Sequence, residues 1–545
     1  LEGAIDGLCD TYYAYVRGSH SKRVITSGDN TPMKSLAGQL KGKGGLFRKH
    51  MQGKRVRIVA RTTISGDPTL RTDEIGVPVK FAKLLVIEET VQEFNKSRLM
   101  ICFLNGHKKY PGCSKIIRKR TGTEHNVDGN NMELEVGDVL LRDLMDGDYV
   151  YFNRQPSLLP SAITAMRVVV SHDPDVLTIR MNVTVCSLFN ADFDGDQMNI
   201  FVGSNLASRI EIERHAAVPN FFIKHSNSAP LVGQVDDSII GSALLTRNSV
   251  VFDRYHAMLL FGSVLRVPAE FRGSKFTSRD IVTMHLADTP VNFVGNTEYY
   301  NEKMAPYIAY DPADTKVEIT NGVHVRGVLD KATIGKGKKN GLYHTISLKY
   351  GEKRALEAIY NMQQLAIGYL QQCGFSVGIN DVLIGDAALA EIHRIESGII
   401  DKSARLTQQL NDGKIIPPVD QTVEEFYERQ QIEHLHVMDD FRKPIFEDVD
   451  AATNNFIQMI IYGSKGTVNH YYHISSAIGQ IVINDKRPRK QLSFGRTFPH
   501  FTRFDMSPQA NGFIVSSYIS GMNADEFAFN AQNARADFIT KVLFT

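Results

Sequence analysis

Short apolar runs separated by glycine, aspartate and proline dominate the chain between about residues 55 and 205. Such runs, bounded by turn-forming residues, predict short β-strands. Their close and regular spacing predicts a small closed barrel. The runs lie at 56–58, 84–87, 148–152, 167–170 and 176–181.

Beyond residue 205 the apolar positions recur with a helical period. Within 351–372 they are three or four residues apart, which predicts an amphipathic helix. The positions are Ala355, Ile359, Met362, Ala366 and Leu370. Residues 381–460 also contain long helical segments. The pattern therefore predicts an α+β fold, with a barrel followed by mostly helical regions.

Length and composition limit the class of protein. At 545 residues, three or four domains are expected, and 43% hydrophobic and 22% charged residues are ordinary for a globular protein. No apolar run approaches the roughly 18 residues of a membrane span, so no membrane partner is predicted. Five scattered cysteines without a C-x-x-C pair favour a reducing compartment and argue against a zinc site. The sequence begins without methionine, and we expect a piece of a longer polypeptide.

A basic run with glycines precedes the predicted barrel. Residues 40–61 contain eight lysines and arginines and no acidic residue, although the formal net charge of the chain is only +2. A solvated basic face normally includes acidic residues. An unrelieved basic run with exposed backbone N–H groups favours contact with a nucleic-acid phosphate backbone.

The sharpest motif is NADFDGD at residues 190–196. Asp192, Asp194 and Asp196 alternate, so an extended or turned segment projects them to one side, where a hard cation such as Mg²⁺ neutralises their repulsion. Gly195 permits a sharp turn, and Phe193 is expected to anchor the loop to a core. A solvated acidic turn is the simpler reading. An EF-hand fails, because loop positions 6 and 12 are Gln197 and Gly203.

A second motif, RQPSL, occupies residues 154–158. Arg154 and Gln155 before a proline form a rigid corner rich in hydrogen-bond donors, suited to a ribose or a phosphate. Alone, the motif is weak evidence for such a site, and the interpretation depends on the other motifs of the chain.

Five motifs in order resemble the largest subunit of multisubunit DNA-directed RNA polymerases, in its eukaryotic, archaeal and large-DNA-virus forms. Besides NADFDGD and RQPSL, they are GKRV with ARTTISGDP and DEIGVP over 53–78, FSVGI at 375–379 and GSKG at 463–466. The resemblance implies a double-psi β-barrel catalytic domain followed by mostly helical pore and funnel domains. The implied segments are 1–36 clamp and rudder end, 37–210 active-site domain, 211–370 pore, 371–520 funnel and 521–545 start of the bridge helix.

The same resemblance assigns roles to individual residues. Asp192, Asp194 and Asp196 are expected to hold one Mg²⁺, while a second arrives with the nucleoside triphosphate. Nucleotide contacts fall on Arg154, Gln155, Asn190 and Lys465. Template and hybrid contacts fall on Lys41, Lys43, Arg48, Lys54, Arg55 and Arg61.

The resemblance also implies partners and a cellular setting. We expect the second-largest subunit, smaller polymerase subunits, a DNA template, an RNA product and nucleoside triphosphates. The expected location is intracellular: the nucleus for a cellular protein, or a cytoplasmic virus factory or virion for a viral one. Residues 533–538 (NARADF) depart from the Gly-Gly-Arg group usual at the bridge-helix start.

Two alternative functions stay open at this point. One is an RNA-dependent RNA polymerase of the RNA-silencing type, which also carries a D-x-D-G-D loop on a double-psi barrel. The other is a catalytically silent, nucleic-acid-binding assembly subunit, against which the three intact aspartates argue.

Overall fold

A computed structural model describes residues 2–20, 23–24, 26, 35–56, 58–127, 133–203, 205–262, 264, 273–302, 305–436, 440–490 and 494–544. Parts of the predicted clamp segment 1–36 therefore lie outside the described residues. The N-terminal elements are α1 (Glu2–Arg17), β1 (Ser19–His20), β2 (Arg23–Val24), α2 (Leu36–Leu40) and a π-helical turn, Phe47–Met51.

The next region contains most of the strands. Its elements are β3 (Ala60–Gly66), β4 (Glu74–Pro78), α3 (Val79–Ala82), β5 (Val86–Thr90), α4 (Lys96–Asn105), β6 (Cys113–Ile117), β7 (Glu124–Asn126), β8 (Val139–Asp143), β9 (Tyr149–Asn153), β10 (Ile163–Ser171), β11 (Ile179–Met181), α5 (Cys186–Phe189) and β12 (Gln197–Phe201).

Six of these strands close into a barrel in the order β10–β4–β11–β3–β12–β9. β10 runs parallel to β4, and β11 runs parallel to β3, while the other four neighbours are antiparallel. Alternate apolar side chains point inward, as the two-residue period of a strand requires. The fully buried residues of this core include Ile75, Val77, Val150, Phe152, Val168 and Ile200.

The predicted closed barrel is confirmed, with two corrections to its strands. No strand forms at Val56 or Ile58, and both side chains are exposed; Arg57 lies outside the described residues. The 84–87 run contributes to β5, which belongs to a separate four-stranded sheet, β5–β8–β6–β7, and not to the barrel. Local strand propensity could not distinguish these two sheets.

The remaining elements are mainly helical. They are α6 (Leu206–His215), α7 (Asp237–Leu245), β13 (Val251–Asp253), α8 (Arg254–Phe261), β14 (Lys275–Thr277), α9 (Ser278–His285), β15 (Phe293–Asn296), β16 (Lys316–Thr320), β17 (Val323–Arg326), α10 (Lys331–Ile334), α11 (Leu342–Tyr350), α12 (Glu352–Cys373), α13 (Asp386–Asn411), α14 (Val423–His434), α15 (Arg442–Asp448), α16 (Asn455–Ile461), α17 (Val468–Ser475), β18 (Gly479–Gln480), β19 (Phe513–Ile514) and α18 (Ala524–Phe544). Strands β13–β17 lie within the predicted pore segment, which is therefore less purely helical than expected.

Helix α12 confirms the predicted 351–372 helix and braces the barrel. Four of its five predicted core positions are buried, and Leu370 is half-buried. Gln364 and Tyr360 donate hydrogen bonds to the carbonyl oxygens of Pro68 and Thr69, in the loop between β3 and β4. The amide of Asn182, just after β11, donates to Gln363 Oε1 at 2.7 Å. These contacts join the helical part of the chain to the barrel.

Helices α13 and α14 form an antiparallel hairpin joined by a short exposed loop. The buried side chain of Gln431 accepts a hydrogen bond from Ser403 Oγ at 2.5 Å and donates to the Ser403 carbonyl at 3.0 Å. Among the residues that the structure describes, no helix combines the length and the apolar character needed to cross a membrane.

Candidate active site

The loop at 190–196 connects α5 to barrel strand β12. Asn190 ends α5 in a left-handed conformation, with φ of 49° and ψ of 42°. Asparagine adopts this conformation more readily than most residues. Gly195 has φ of 117°, so the turn that the sequence predicted between the second and third carboxylates is present.

Backbone and apolar contacts fix the loop on the barrel. The N–H of Ile64 in β3 donates to the Asp196 carbonyl oxygen at 3.0 Å. The ring of Phe193 lies over Gly66, where an added Cβ would come within 3.1 Å of the ring. Phe193 nevertheless stays 39% exposed, so it covers the barrel edge and does not enter the core.

The three aspartates converge as predicted. One carboxylate oxygen from each of Asp192, Asp194 and Asp196 lies within 4.8 Å of the other two, the only such group of metal-ligating side chains among the described residues. The neighbouring Asp192 carboxylate raises the pKa of Asp194 above its usual value. The side-chain hydrogen bond between the two carboxyl groups contributes most to this shift, and their like charge adds to it.

Arg154 lies against this group. Its Nε donates to Asp196 Oδ2 at 2.7 Å and its Nη2 to Oδ1 at 3.3 Å. This hydrogen-bonded guanidinium lowers the pKa of Asp196 below its usual value. The third nitrogen, Nη1, makes no hydrogen bond with a described residue, so part of the guanidinium remains available to a ligand.

Hydrogen bonds from the preceding residue hold the corner that carries Arg154. Asn153, buried at the end of β9, donates to Ser157 Oγ at 2.6 Å and to the Ala162 carbonyl at 2.9 Å. Gln155 is exposed and accepts a hydrogen bond from Arg61 Nη1 at 3.4 Å. The structure thereby brings together Gln155, a predicted nucleotide contact, and Arg61, a predicted hybrid contact.

Arg61 makes two further contacts on the barrel surface. Its Nε donates to Gln197 Oε1 at 3.1 Å and its Nη1 to Asn199 Oδ1 at 3.2 Å. Both acceptors belong to β12, directly after the acidic loop. The side chain of Asn190, at the start of that loop, is exposed and free of hydrogen bonds within the described part of the chain.

The other predicted hybrid contacts precede the barrel and are all exposed. Within the described ranges none of them forms an ion pair, as expected of cations that meet an external polyanion. They are Lys41, Lys43, Arg48, Lys54 and Arg55. The structure does not bring these five into contact with the acidic loop.

Lys465 follows the end of α16. Gly463 closes that helix with φ of 71°, and the N–H groups of Gly463 and Ser464 donate to the carbonyls of Ile460 and Met459. Lys465 Nζ lies 3.4 Å from Asp236 Oδ1, just before α7. Glycine in the left-handed conformation is the usual helix C-cap.

Sequence reasoning missed three residues near the acidic loop: Cys186, Asp236 and Lys336. Burial raises the pKa of the Cys186 thiol to about 12, and the charges of Lys336, Asp192 and Asp236 all act on this thiol. The glycine- and lysine-rich stretch GKGKKNG at 335–341 was a visible signal. Its proximity to the loop depends on tertiary contacts that sequence patterns do not encode.

The donor set fits a hard divalent cation. Three carboxylates and no nitrogen or sulfur ligand suit Mg²⁺, which prefers oxygen and keeps some of its water. Asp192 and Asp194 are exposed and Asp196 is half-buried, so water and a substrate have access to the same face.

Comparisons with known proteins identify the family of the chain. Three models of one family match successive parts of the chain: RNA polymerase Rpb1 domain 2 over residues 53–218, domain 3 over 222–382 and domain 4 over 406–514. The acidic loop and the RQPSL corner lie within the first match.

Three relatives align with nearly the whole chain. The DNA-directed RNA polymerase RPB1 homolog of African swine fever virus (strain Badajoz 1971 Vero-adapted) is 41% identical over 540 residues, covering 97% of this chain and 37% of the relative. DNA-directed RNA polymerase subunit Rpo1N of Thermococcus celer is 31% identical over 94% of this chain and 59% of its own length. Human DNA-directed RNA polymerase III subunit RPC1 is 31% identical over 93% of this chain and 38% of its own length. The chain thus spans between 37% and 59% of these relatives.

Proposed function

The chain belongs to the RNA polymerase Rpb1 family, and on this basis we propose that it forms the catalytic centre of the largest subunit of a DNA-directed RNA polymerase. The reaction would be template-directed addition of ribonucleoside triphosphates to an RNA 3′-hydroxyl. The observation that carries the proposal is the convergence of three carboxylate oxygens within 4.8 Å on a loop between α5 and β12.

Asp192, Asp194 and Asp196 would hold one Mg²⁺, and a second would arrive with the nucleotide. Bound Mg²⁺ supplies a lowered pKa at the attacking hydroxyl and stabilisation of the charge that develops at the phosphate. Arg154 keeps Asp196 ionised and oriented through two hydrogen bonds. Positioning and electrostatic stabilisation would supply most of the rate, as in phosphoryl transfer generally.

The nucleotide would lie beside the RQPSL corner. Arg154 Nη1 and the exposed Asn190 amide are free to hydrogen-bond the sugar, whose 2′-hydroxyl separates ribose from deoxyribose. Gln155 would support this contact from the same corner, and Lys465 would attract the triphosphate. The unpaired basic residues at 41–55, with Arg61, would hold the template strand and the RNA–DNA hybrid through salt-sensitive phosphate contacts.

The fold of this centre would be a double-psi β-barrel. Its support is the closed six-stranded barrel with two parallel pairs, β3 with β11 and β4 with β10. The chain would divide into an active-site domain (37–210), a pore domain (211–370), a funnel domain (371–520) and the start of the bridge helix (521–545). The α13–α14 hairpin supports the funnel assignment.

The remaining proposals concern the assembly. The largest subunit would work with the second-largest and smaller polymerase subunits, on a DNA template, with an RNA product. The viral and human relatives support a virus factory or virion, or a nucleus, as the location. The comparisons give no support to an RNA-silencing polymerase or to a silent assembly subunit.

The deciding experiment is RNA extension by the native complex purified through this chain. The substrate is an RNA primer on a DNA template, with an RNA template as the second arm. Wild type should extend on DNA, and Asp194→Ala should abolish extension while leaving the circular dichroism spectrum unchanged. Asp412→Asn, on the exposed loop of the α13–α14 hairpin, is the matched control and should extend normally. Equal extension by wild type and Asp194→Ala would place the chemistry in another protein.

A further inference from the structure

Asp236 has an unusual backbone conformation for a non-glycine residue. It lies directly before α7 with φ of 44° and ψ of −114°. Such a conformation costs energy and persists only where surrounding contacts impose it. Those contacts are present: the Asp236 carbonyl accepts hydrogen bonds from Ser464 Oγ at 2.7 Å and from the Ile239 N–H at 3.0 Å.

That carboxylate faces Lys465, the proposed triphosphate contact. The pair is separated by 3.4 Å, and the two side chains are 73% and 52% exposed for Lys465 and Asp236. An exposed ion pair of this kind is weak, because water and salt screen it. A more highly charged anion can therefore displace Asp236 from Lys465.

The pair is close to the acidic loop. Ser187, in the helix that leads into that loop, donates its hydroxyl to the Leu231 carbonyl at 2.6 Å. The backbone continues from there to Asp236, and the buried Cys186 thiol experiences the charges of both Asp236 and Asp192. Asp236 thus follows a segment that contacts the helix leading into the acidic loop.

A second lysine, Lys336, lies on a segment that packs against residues 233–234. The N–H of Lys336 approaches the Gln234 carbonyl at 3.4 Å, and an added Cβ on Gly233 would lie 2.6 Å from the Lys336 nitrogen. The Lys336 side chain is exposed and makes no ion pair with a described residue. The Lys336 backbone therefore packs against the segment that precedes Asp236.

We propose that Asp236 is a positioning residue that pairs with Lys465 in the free protein and yields it to the triphosphate of the incoming nucleotide. The inference rests on the proposed polymerase function. A single carboxylate holds the lysine extended toward the site, and the several charges of a triphosphate outcompete it. Asp236 would in this way set the nucleotide concentration that the enzyme requires, without contacting the reacting atoms.

The test is single-nucleotide extension by the purified complex, with KM and kcat measured separately. Asp236→Asn removes the charge and keeps a residue that tolerates positive φ. We expect KM for the nucleoside triphosphate to fall about two- to fivefold, the range for loss of an exposed ion pair, with kcat unchanged. In a Lys465→Ala background, the same substitution should leave KM unchanged, because no lysine remains to be released.

A second variant separates charge from folding. Asp236→Gly removes the charge and the backbone strain together, and it should lower KM as the asparagine variant does. Asp412→Asn removes an exposed carboxylate paired at 2.8 Å with Lys414 and should leave KM unaltered. An unchanged or raised KM in Asp236→Asn, or an equal fall with and without Lys465, overturns the proposal.

Failure of this inference is distinguishable from failure of the proposed function. If Asp194→Ala still extends RNA, the polymerase assignment itself is wrong. If wild type extends, Asp194→Ala does not, and Asp236→Asn has the wild-type KM, only the role of Asp236 is wrong.

Discussion

Arg154 and Asp196 are joined by two hydrogen bonds, from Nε to Oδ2 at 2.7 Å and from Nη2 to Oδ1 at 3.3 Å. Arg154 follows β9 and Asp196 precedes β12, and these two strands are antiparallel neighbours in the barrel. The barrel therefore places the RQPSL corner against the acidic loop. The guanidinium neutralises one of three adjacent carboxylates while leaving Nη1 available to a substrate.

The first prediction concerns this pair. Arg154→Gln removes a cation beside the proposed metal site, so the complex should need about two- to fivefold less Mg²⁺ for half-maximal extension. Discrimination between ribo- and deoxyribonucleotides should fall, because the proposed sugar contact is lost. The measurements are a Mg²⁺ titration of extension and the ratio of kcat/KM for the two nucleotides.

Arg167→Gln provides the control for this variant. Arg167 pairs with Glu74 at 2.7 Å on a different part of the barrel, and its loss should change neither quantity. A higher Mg²⁺ requirement in Arg154→Gln would contradict the prediction. It would mean that Arg154 helps Mg²⁺ binding by orienting Asp196 more than it hinders binding by its positive charge.

The second prediction concerns pH. The Asp192 carboxylate raises the pKa of Asp194, so without metal the folded chain holds a proton there at higher pH than an ordinary aspartate does. As pH rises through this pKa, the folded state acquires adjacent negative charges and loses stability. Added Mg²⁺ relieves the repulsion, so its stabilising effect on thermal unfolding should grow with pH. Asp194→Asn should remove the pH dependence of the stabilisation by Mg²⁺. If Mg²⁺ stabilises the wild type equally at every pH, it does not bind at these carboxylates.

The structure also shows which features the sequence could predict. The acidic loop was predictable because its three ligands and its turn-forming Gly195 all lie within residues 192–196. Local geometry therefore brings the carboxylates together. The α12 helix was predictable because its burial follows the helical period. In contrast, the partners of Arg154 and Lys465 lie 42 and 229 residues away along the chain. Only the tertiary fold brings such pairs together.

The third prediction concerns a buried ionic network beside the barrel. Arg142 is 1% exposed; its Nε lies 2.5 Å from Glu89, and its Nη1 lies 2.7 Å from Asp148. Arg142→Met removes one cation from both carboxylates in a largely buried setting, while Glu89 keeps its ion pair with Arg98. Removal of one partner from such a network costs about 3–5 kcal/mol. The measurement is the change in the unfolding temperature of the four-stranded sheet, with hydrogen exchange as the probe.

An exposed pair gives the comparison. Arg394 binds Glu391 at 2.6 Å, and their side chains are 76% and 42% exposed. Arg394→Met should lower stability much less than Arg142→Met does, because solvent screens the pair. Similar losses for the two variants would show that Arg142 is not the centre of the buried network.

The last prediction tests how the helix end at Gly463 positions Lys465. Gly463 and Gly466 both have positive φ, of 71° and 82°, so alanine is strained at either position by about 1 kcal/mol. The surroundings differ: an added Cβ at Gly463 would clash with Glu298 and Lys331, whereas at Gly466 its nearest neighbour is Ile460 at 3.6 Å. Gly463→Ala should therefore displace the segment that carries Lys465 and raise KM for the nucleotide severalfold, while Gly466→Ala should lower stability with a smaller effect on KM.

Nucleotide titrations of both complexes, together with their unfolding transitions, separate displacement of Lys465 from simple loss of stability. Equal changes in KM would mean that the clash at Gly463 relaxes without moving the lysine.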